Sequence, residues 1–228
     1  MRVIKSSYEI ITPIDGLEID GLDILRLIES VGRVCYKSED KITEDSSRKF
    51  VKMLIDRGHE AMLEHYSFTV KFICDRGVSH EIVRHRLASY AQESTRYCNY
   101  VGDKFENQIT VIKPCFWEDK KFMTNSKGCL IDISKDKAKW NTWLRAMEIT
   151  EDCYLKLIEH GASPQEARSV LPNSLKTELI MTANLREWRH FLKLRTADTA
   201  HPQMLEITRP LLGELKMLIP VVFDDITF

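Results

Sequence analysis

The stretch Arg84-His85-Arg86-Leu87-Ala88-Ser89-Tyr90-Ala91-Gln92-Glu93-Ser94-Thr95-Arg96-Tyr97 places three arginines, a histidine and several hydroxyl side chains within fourteen residues. Guanidinium groups, hydroxyls and loop amides are groups that bind phosphate in proteins. For an Arg-His-Arg triplet alone, the simpler interpretation is a basic helix end that complements its own dipole, followed by a solvated loop. The fixed spacing that joins the triplet to Ser94 and Arg96 favours a binding site instead.

The segments before the triplet predict how it is presented. Residues 66–74 alternate apolar and polar side chains, which predicts a half-buried strand. A helix is expected to follow from a cap at Asp75 and to continue through the triplet, with Glu81 and His85, or His80 and Arg84, paired four residues apart. Successive helical residues point about 100° apart, so a helical triplet would reach two ligands at once.

The remaining segments predict an α+β fold with an antiparallel or mixed sheet flanked by long helices. Strands are indicated by β-branched and alternating segments, and helices by apolar residues at helical spacing between capping residues and Gly or Pro. Residues 118–136 are charged and are expected to form an exposed insertion. The expected strands are 3–12, 66–74 and 108–113, and the expected helices are 22–34, Ser46 or Ser47 to Gly58, 137–160, 163–172, 184–195 and a final helix from 200.

Length and composition limit the function classes. A chain of 228 residues can bury one core, so we expect a single catalytic domain over 1–228. Its 33 basic and 34 acidic residues leave a net charge of −1, which argues against a nucleic-acid-binding module, the main rival function. A nucleoside-phosphate hydrolase, the second rival, would need a carboxylate cluster for a metal, and none is evident. No membrane span or signal peptide is evident, so we expect a cytoplasmic protein without a membrane partner.

The sequence predicts no metal site. His59-Glu60 would begin the zinc motif His-Glu-x-x-His, but the fifth position is Leu63. The inverted motif ending in Glu64-His65 would need His at Ala61. Six cysteines form no Cys-x-x-Cys pair, which argues against a zinc ribbon.

The pattern Arg84-His85-Arg86, seven further residues, Ser94 and then Arg96-Tyr97 closely resembles the signature of the flavin-dependent thymidylate synthases. The resemblance implies a single-domain fold of that type and a methyltransferase that converts dUMP to dTMP for dTTP biosynthesis. Methylenetetrahydrofolate would supply the one-carbon unit, and FAD reduced by NADPH would supply the hydride. The resemblance also implies a homotetramer with shared active sites.

Further segments extend the resemblance to residues 33–203. Residues 32–36 resemble a segment that approaches the flavin. The Gly58-His59-Glu60 segment makes His59 a candidate for the folate or nicotinamide pocket, with turn hydrogen bonds as the alternative. Ala61 stands where many relatives have Thr, so a flavin contact there would be made by the backbone.

The second half of the chain matches the family in two runs. Residues 167–172 resemble its Ala-Arg-x-x-Leu-Pro segment, whose Arg contacts the nucleotide. Residues 184–195 match its Asn-x-Arg-x-x-x-His-Phe-x-x-x-Arg run. Arg195, the last residue of this run, shares a helix face with apolar side chains, where an unpaired guanidinium is costly to bury. Its partner is expected to be Asp198, Glu206 or an electron-rich ligand.

The resemblance gives each matching residue an expected role. Arg195 would be the catalytic residue, because a permanently charged guanidinium stabilises negative charge on the uracil ring. Ser94 is expected to bind phosphate and not to act as a nucleophile, since no His is placed to activate it. The expected FAD ligands are Ala61, Arg84, His85, Arg86, Gln92, Asn184, Arg186 and His190. The expected dUMP ligands are Glu81, Arg84, Gln92, Glu93, Ser94, Thr95, Arg96, Arg168 and Arg195.

Overall fold

The structure is a computed structural model that describes residues 1–14, 20–102, 105–117, 122–124 and 128–228. Within these ranges the strands are β1 Arg2–Ile4, β2 Ser7–Ile10, β3 Ser67–Asp75, β4 Ala88–Gln92, β5 Thr110–Ile112, β6 Phe122–Thr124, β7 Leu130–Asp132 and β8 Lys176–Asn184. The α-helices are α1 Gly21–Tyr36, α2 Ser46–Asp56, α3 Arg76–Ile82, α4 Ser134–Glu159, α5 Pro164–Ala167, α6 Leu185–Arg195 and α7 Pro202–Leu218. Short 3-10 helices cover Glu39–Lys41, Glu60–His65 and Arg168–Val170.

Contacts group the chain into two compact units. The larger unit contains Ser7–Ile73, His80–Ala91 and Leu179–Phe228, and the smaller contains Met1–Ser6, Cys74–Ser79 and Gln92–Glu178. A single catalytic domain over 1–228 stays a prediction.

The larger unit is built on a four-stranded sheet in the order β2-β3-β8-β4. β2 and β3 are antiparallel, with Tyr8 opposite Phe72. α6 packs the fully buried Trp188 onto Phe68 of β3, with ring centroids 4.8 Å apart, and the indole Nε1 donates to the Phe68 carbonyl at 3.1 Å. Burial of these aromatic rings supplies a large share of the apolar surface that stabilises this unit. The prediction of an α+β fold with long helices is confirmed.

Helices α1 and α2 belong to the same unit, and their ends lie close to the predicted bounds. Asp20 caps α1 by accepting a hydrogen bond from the Leu22 amide at 2.8 Å. A Cβ on Gly32 would lie 2.6 Å from the Phe50 ring, so glycine is needed where the two helices approach. After α2, Gly58 has a φ of +69°, as expected for a glycine that ends a helix.

The smaller unit contains a second core. Its strands β1 and β5 are parallel, and β6 and β7 form an antiparallel pair. Tyr154 on α4 is fully buried, and its hydroxyl accepts a hydrogen bond from the Tyr100 amide at 3.4 Å. The buried side chains of this core are Tyr100, Ile109, Val111, Met147, Tyr154, Ala167 and Leu175.

The structure corrects the prediction that the Arg84–Arg86 triplet continues a helix. Asp75 caps α3 as expected, accepting from the Val78 amide at 2.7 Å, but α3 ends at Ile82. The Tyr90 hydroxyl donates to the carbonyls of Ile82 and His85 at 2.9 and 2.7 Å, which holds the chain in a turn. The predicted helical pairing of Glu81 with His85 is therefore wrong. The following residues, expected to form a loop, form β4.

Several boundaries also differ from the prediction: β5 is shorter than the expected strand 108–113, and the expected helix 163–172 is α5 followed by the 3-10 helix Arg168–Val170. The expected strand 3–12 is two strands, β1 and β2, which lie in different sheets. The N-cap of α2 is Asp45, whereas Ser46 is its first residue and donates from Oγ to Glu29 Oε2 at 2.8 Å. Of the expected insertion 118–136, residues 118–121 and 125–127 lie outside the described residues, and α4 begins at Ser134.

Candidate functional site

A cleft of about 700 Å³ in the larger unit brings together two of the predicted sequence segments. The turn between α3 and β4 forms one part of its lining, and the N-terminal half of α6 forms another. Six of the eight predicted flavin ligands line it: Arg84, His85, Arg86, Asn184, Arg186 and His190. The other lining residues are Glu60, Glu64, Leu87, Glu187, Arg189 and Lys193.

The cleft carries an excess of positive charge. Arg84 and Arg86 form no ion pair within the described residues. Arg186 is paired with Glu64, its Nη1 lying 2.6 Å from Oε1. A negatively charged ligand therefore finds two uncompensated guanidinium groups at the turn.

Arg189 also lines the cleft, but its guanidinium is held elsewhere. The side chain is 1% exposed and donates to Asp225 Oδ1 and Oδ2 at 2.6 and 2.8 Å. It also donates to Glu60 Oε1 at 3.1 Å and to the Val222 carbonyl. This ion pair ties α6 to the C-terminal segment and to the 3-10 helix Glu60–His65, so its role is to hold the cleft in shape.

His85 is a buried link between two charged residues. Its Nδ1 lies 3.2 Å from Glu187 Oε1, and its Nε2 lies 3.2 Å from Arg195 Nε. Because a guanidinium nitrogen can only donate, Nε2 must be the acceptor and the ring proton sits on Nδ1. Burial and the charge of Arg195 lower the pKa of His85 below its ordinary value of 6.5, against the opposing effect of Glu187. The imidazole is therefore neutral in this arrangement.

Arg195 is anchored at all three guanidinium nitrogens. Nη1 donates to Glu81 Oε2 at 2.8 Å and Nη2 to the Glu81 carbonyl at 2.9 Å, while Nε donates to His85. The side chain is 15% exposed. Asp198, one of the predicted partners, instead pairs with Arg209. The carboxylate that pairs with Arg195 is thus that of Glu81. The sequence analysis predicted Glu81 as a nucleotide ligand and not as the partner of Arg195.

His85, Glu187 and His190 present ligand-type atoms within 4.8 Å of one another. Two imidazoles and a carboxylate can bind a divalent cation. Here Nε2 of His85 accepts from Arg195 and Nδ1 carries the proton that faces Glu187. We therefore interpret the three groups as a hydrogen-bonded chain that orients Arg195.

His59 and Ala61 line a second, smaller pocket of about 250 Å³ in the same unit. Nδ1 of His59 lies 3.4 Å from the Tyr36 hydroxyl. Tyr36 also lines the pocket, and the other lining residues are Gly32, Cys35, Leu54 and Met62. A pocket of this kind suits the flat face of a ring, and Ala61 contributes a small side chain to it.

The predicted ligands from Gln92, the last residue of β4, to Arg96 belong to the smaller unit. The Gln92 side chain donates to Ser79 Oγ at 3.0 Å and to Thr177 Oγ1 at 3.2 Å, so it is held in place. Glu93 accepts from Lys176 Nζ at 3.1 Å. These contacts occupy both side chains with structural partners.

Ser94, Thr95 and Arg96 form a turn in which Ser94 Oγ accepts from the Arg96 amide at 3.3 Å. Thr95 is 8% exposed, whereas Arg96 is exposed and lies over the Tyr97 ring, 5.4 Å from its centroid. Within the described residues, the contact of Ser94 Oγ is to this backbone amide, which offers no base to activate the hydroxyl.

Arg168 is also exposed in the smaller unit. A capping box precedes it, because the Ser163 amide donates to Glu166 Oε2 at 2.8 Å and the Ser163 side chain accepts from the Glu166 backbone. Ala167 is fully buried, which fixes the turn that presents Arg168 outward.

Sequence reasoning missed Glu187, Arg189 and Glu60 as parts of the site. Glu187 lies in the first turn of α6, and its amide donates to the Asn184 side chain at 2.9 Å. Its spacing of three residues from His190 places both on one helix face and could have identified it. The pairing of Arg189 with Asp225 and Glu60 has no comparable local signal.

Comparisons with known proteins identify the family of the chain. The sequence profile of a family described as Thymidylate synthase complementing protein matches residues 19–221. A flavin-dependent thymidylate synthase of Pyrococcus furiosus is 31% identical over 190 residues, covering 83% of this chain and 70% of the relative. One from Geobacter sulfurreducens is 30% identical over 200 residues, covering 85% and 78%.

A solved structure has the same fold. It is a UMP/dUMP methylase PolB from Streptomyces cacaoi bound with 5-Br dUMP, with a TM-score of 0.74 and 23% sequence identity. The likeness covers 98% of this chain and 96% of that one.

Of the helices that the structure describes, none is both long enough and apolar enough to span a membrane.

Proposed function

The chain belongs to the flavin-dependent thymidylate synthase family, and we propose that the cleft between the Arg84–Arg86 turn and α6 holds the flavin that this family requires. The chain is a methyltransferase that converts dUMP to dTMP, the activity named for its relatives. FAD is its cofactor, and NADPH and methylenetetrahydrofolate are its co-substrates. The residue roles below are proposals built on that premise.

One observation carries the assignment of the cleft. Two sequence segments about a hundred residues apart, each matching a family motif, line the same 700 Å³ space. His85 joins the two segments directly through Glu187 and Arg195, and both segments present mostly charged or polar groups to the remaining space. Their convergence is the arrangement expected of a cofactor site.

The chemistry of the lining fits FAD. The pyrophosphate of FAD carries negative charge, and Arg84 and Arg86 supply guanidinium groups without a carboxylate partner among the described residues. Asn184 and His190 add polar side chains beside them. Arg186 would also bind the pyrophosphate if it released Glu64. Breaking an exposed ion pair of this kind costs little free energy. FAD, when reduced, supplies hydride to the methyl group being formed.

Arg195 is the proposed catalytic residue. Methylation at C5 of uracil requires electron density on that carbon, and negative charge then grows on the ring oxygens. A guanidinium held in one orientation by Glu81 and His85 stabilises that charge without having to reorganise. The neutral state of His85 is required for this anchor, because a protonated Nε2 cannot accept from Arg195.

The nucleotide phosphate is proposed to bind the Ser94–Arg96 turn and Arg168. The Ser94 hydroxyl, the turn amides and the two exposed guanidinium groups are suitable donors for it. Gln92, Glu93 and Thr95 keep their proposed places in the nucleotide pocket, the first two already fixed by neighbouring side chains. His59 is proposed for the folate or nicotinamide pocket.

We also propose that the chain forms a homotetramer with shared active sites. Its location is proposed to be cytoplasmic, and residues 1–228 are proposed to form one catalytic domain. The family supports the tetramer, and light scattering after size-exclusion chromatography measures it directly. A particle of four times 26.6 kDa is expected.

A visible spectrum and a turnover assay test the proposed function. Purified protein, reconstituted with FAD, is expected to show flavin absorption and to form dTMP from dUMP, methylenetetrahydrofolate and NADPH. Omitting each co-substrate in turn provides the controls. A protein that stays colourless after incubation with FAD and forms no dTMP would refute the proposal.

A further inference from the structure

A third pocket, of about 490 Å³, lies in the larger unit where the end of α1 and the connection after it meet α2. The residues that line it, all of them described, include four cationic side chains and no carboxylate. The cations are Arg33, Lys41, Lys49 and Arg57, and the other lining residues are Tyr36, Ser38, Ser46, Phe50 and Met53. We refer to it as the basic pocket.

Three of the four cations of the basic pocket are not neutralised by the protein. Lys41, Lys49 and Arg57 form no ion pair with any residue that the structure describes. Lys52, on the same helix but outside the pocket, binds Asp56 at 2.8 Å. Uncompensated charge therefore concentrates in the concave surface, where it attracts anions more strongly than on an open face.

The fourth cation is held in a fixed position. Arg33 donates from Nε and Nη2 to Glu29 Oε1 at 3.1 and 2.8 Å, and its guanidinium lies 4.4 Å from the centroid of the Phe50 ring. Glu29 is 1% exposed, and its second oxygen accepts from Ser46. An oriented guanidinium loses little conformational entropy when it binds an anion.

The basic pocket adjoins the smaller apolar pocket that contains His59 and Ala61. Tyr36 lines both of them, and its hydroxyl faces His59. The two pockets together offer a flat apolar slot beside a cationic recess. That combination suits a molecule with a ring at one end and several negative charges at the other.

We propose that the basic pocket binds the polyanionic end of a co-substrate whose ring enters the pocket of His59 and Ala61. This inference rests on the proposed function, which supplies two co-substrates with that chemistry. One is a methylenetetrahydrofolate that carries a chain of γ-linked glutamates, and the other is NADPH with its 2′-phosphate. Both would place negative charge against Lys41, Lys49 and Arg57.

The test compares Lys49→Gln with Arg48→Gln. Arg48 is exposed on α2 and does not line the pocket, so its loss controls for net charge. Binding of tri-γ-glutamate and of adenosine 2′,5′-bisphosphate to the FAD-loaded proteins is measured by calorimetry at low salt. KM is then measured for mono- and triglutamylated folate, and for NADPH against NADH.

The pocket variant is expected to bind one of the two probes about tenfold more weakly than Arg48→Gln does. Loss of the triglutamate preference identifies the folate as the source, and loss of the NADPH preference identifies the dinucleotide. Charge reversal by Lys49→Glu should enlarge the same effect, and circular dichroism verifies that each variant is folded.

The proposal is overturned if wild-type protein binds neither probe, or if the pocket variants match Arg48→Gln in binding and in both KM comparisons. Probe binding does not require turnover. Wild-type protein that binds a probe but forms no dTMP would remove the proposed function and leave the pocket in place.

Discussion

The guanidinium of Arg195 contacts Glu81 twice, at 2.8 Å from Oε2 and 2.9 Å from the carbonyl oxygen, although 114 positions separate the two residues. Because His85 accepts from the third nitrogen, the planar group has one orientation. The anchor joins α6 to the end of α3, next to the turn that carries Arg84 and Arg86. The proposed catalytic charge and two proposed flavin ligands are therefore positioned by one short segment.

Replacing Arg195 is expected to separate catalysis from cofactor binding. Arg195→Ala should lower the rate of dTMP formation about 10²- to 10³-fold, as the loss of one oriented charge-stabilising group does elsewhere. Arg195→Lys should recover little activity, because one ammonium cannot reproduce a planar fork with three partners. Flavin absorption of the purified variants should equal that of the wild type.

Arg209→Ala is the matched control for Arg195→Ala. This substitution also removes a positive charge and an ion pair, the one with Asp198, but Arg209 lies on α7 outside the proposed site. Its turnover should be unchanged. Loss of flavin from Arg195→Ala, with normal turnover once FAD is restored, would contradict the catalytic role.

The pH dependence of turnover should report the protonation of His85. Its pKa lies below 6.5, so kcat should fall at a pH below that value as Nε2 gains a proton and releases Arg195. Glu187 favours the imidazolium, so Glu187→Gln should move this fall to lower pH. His190 opposes the imidazolium, so His190→Gln should move it to higher pH. Stopped-time assays across pH 5 to about 8 measure both shifts.

The same histidine affects stability. The folded pKa of His85 is lowered, so its contribution to stability is complete above pH 6.5 and is lost as pH falls from 6.5 to the lower folded value.

The outcome that would contradict the role of His85 in turnover is an identical fall of kcat at low pH in wild type, Glu187→Gln and His190→Gln. Such a result would show that a group other than His85 controls the pH dependence of kcat.

Breaking the Arg189–Asp225 pair is expected to destabilise the fold. Asp225→Asn leaves a fully buried guanidinium with weaker partners, which should cost about 1–3 kcal/mol of unfolding free energy. For a chain of this size the melting temperature should fall by roughly 2–4 °C per kcal/mol. Differential scanning calorimetry measures the change.

Asp198→Asn provides the comparison for Asp225→Asn. The Asp198 side chain is 86% exposed, so its pair with Arg209 should contribute about 0–1 kcal/mol. Equal melting temperatures for Asp198→Asn and Asp225→Asn would show that the Arg189–Asp225 pair contributes nothing to stability.

The stabilisation by Asp225 should also depend on pH. The pKa of Asp225 is lowered by the hydrogen bonds from Arg189, so its stabilisation is present above pH 3.8 and is lost as pH falls through the lower folded value.

Removing the exposed guanidinium groups of the smaller unit should weaken nucleotide binding. Arg96→Gln and Arg168→Gln are each expected to raise KM for dUMP about tenfold, because a charge-assisted phosphate contact is lost. Flavin content should not change. Arg145→Gln, which removes an exposed charge on α4, is the control, and an equal KM in all three variants would exclude the phosphate role.

Local signals predicted the ends of several elements. Asp20, Asp75 and Asn184 all cap the helices that follow them, because a side-chain oxygen bonds an amide within three residues. The Asn184–Arg195 helix and the alternation of β3 were likewise predictable, since their periodicity depends on near neighbours. The family resemblance rested on the same short spacings.

What the sequence by itself determined is the set of charged residues and the helices that carry most of them. Only the tertiary structure decided that α3 ends at Ile82, because the Tyr90 hydroxyl donates to the carbonyls of Ile82 and His85 and β4 joins the sheet beside β8. It also decided that Arg195 pairs with Glu81 and His85. The periodicity of the sequence could not predict those partners. A buried guanidinium needs hydrogen-bond acceptors within about 3 Å, and the packed fold can supply them from residues that are distant in the chain.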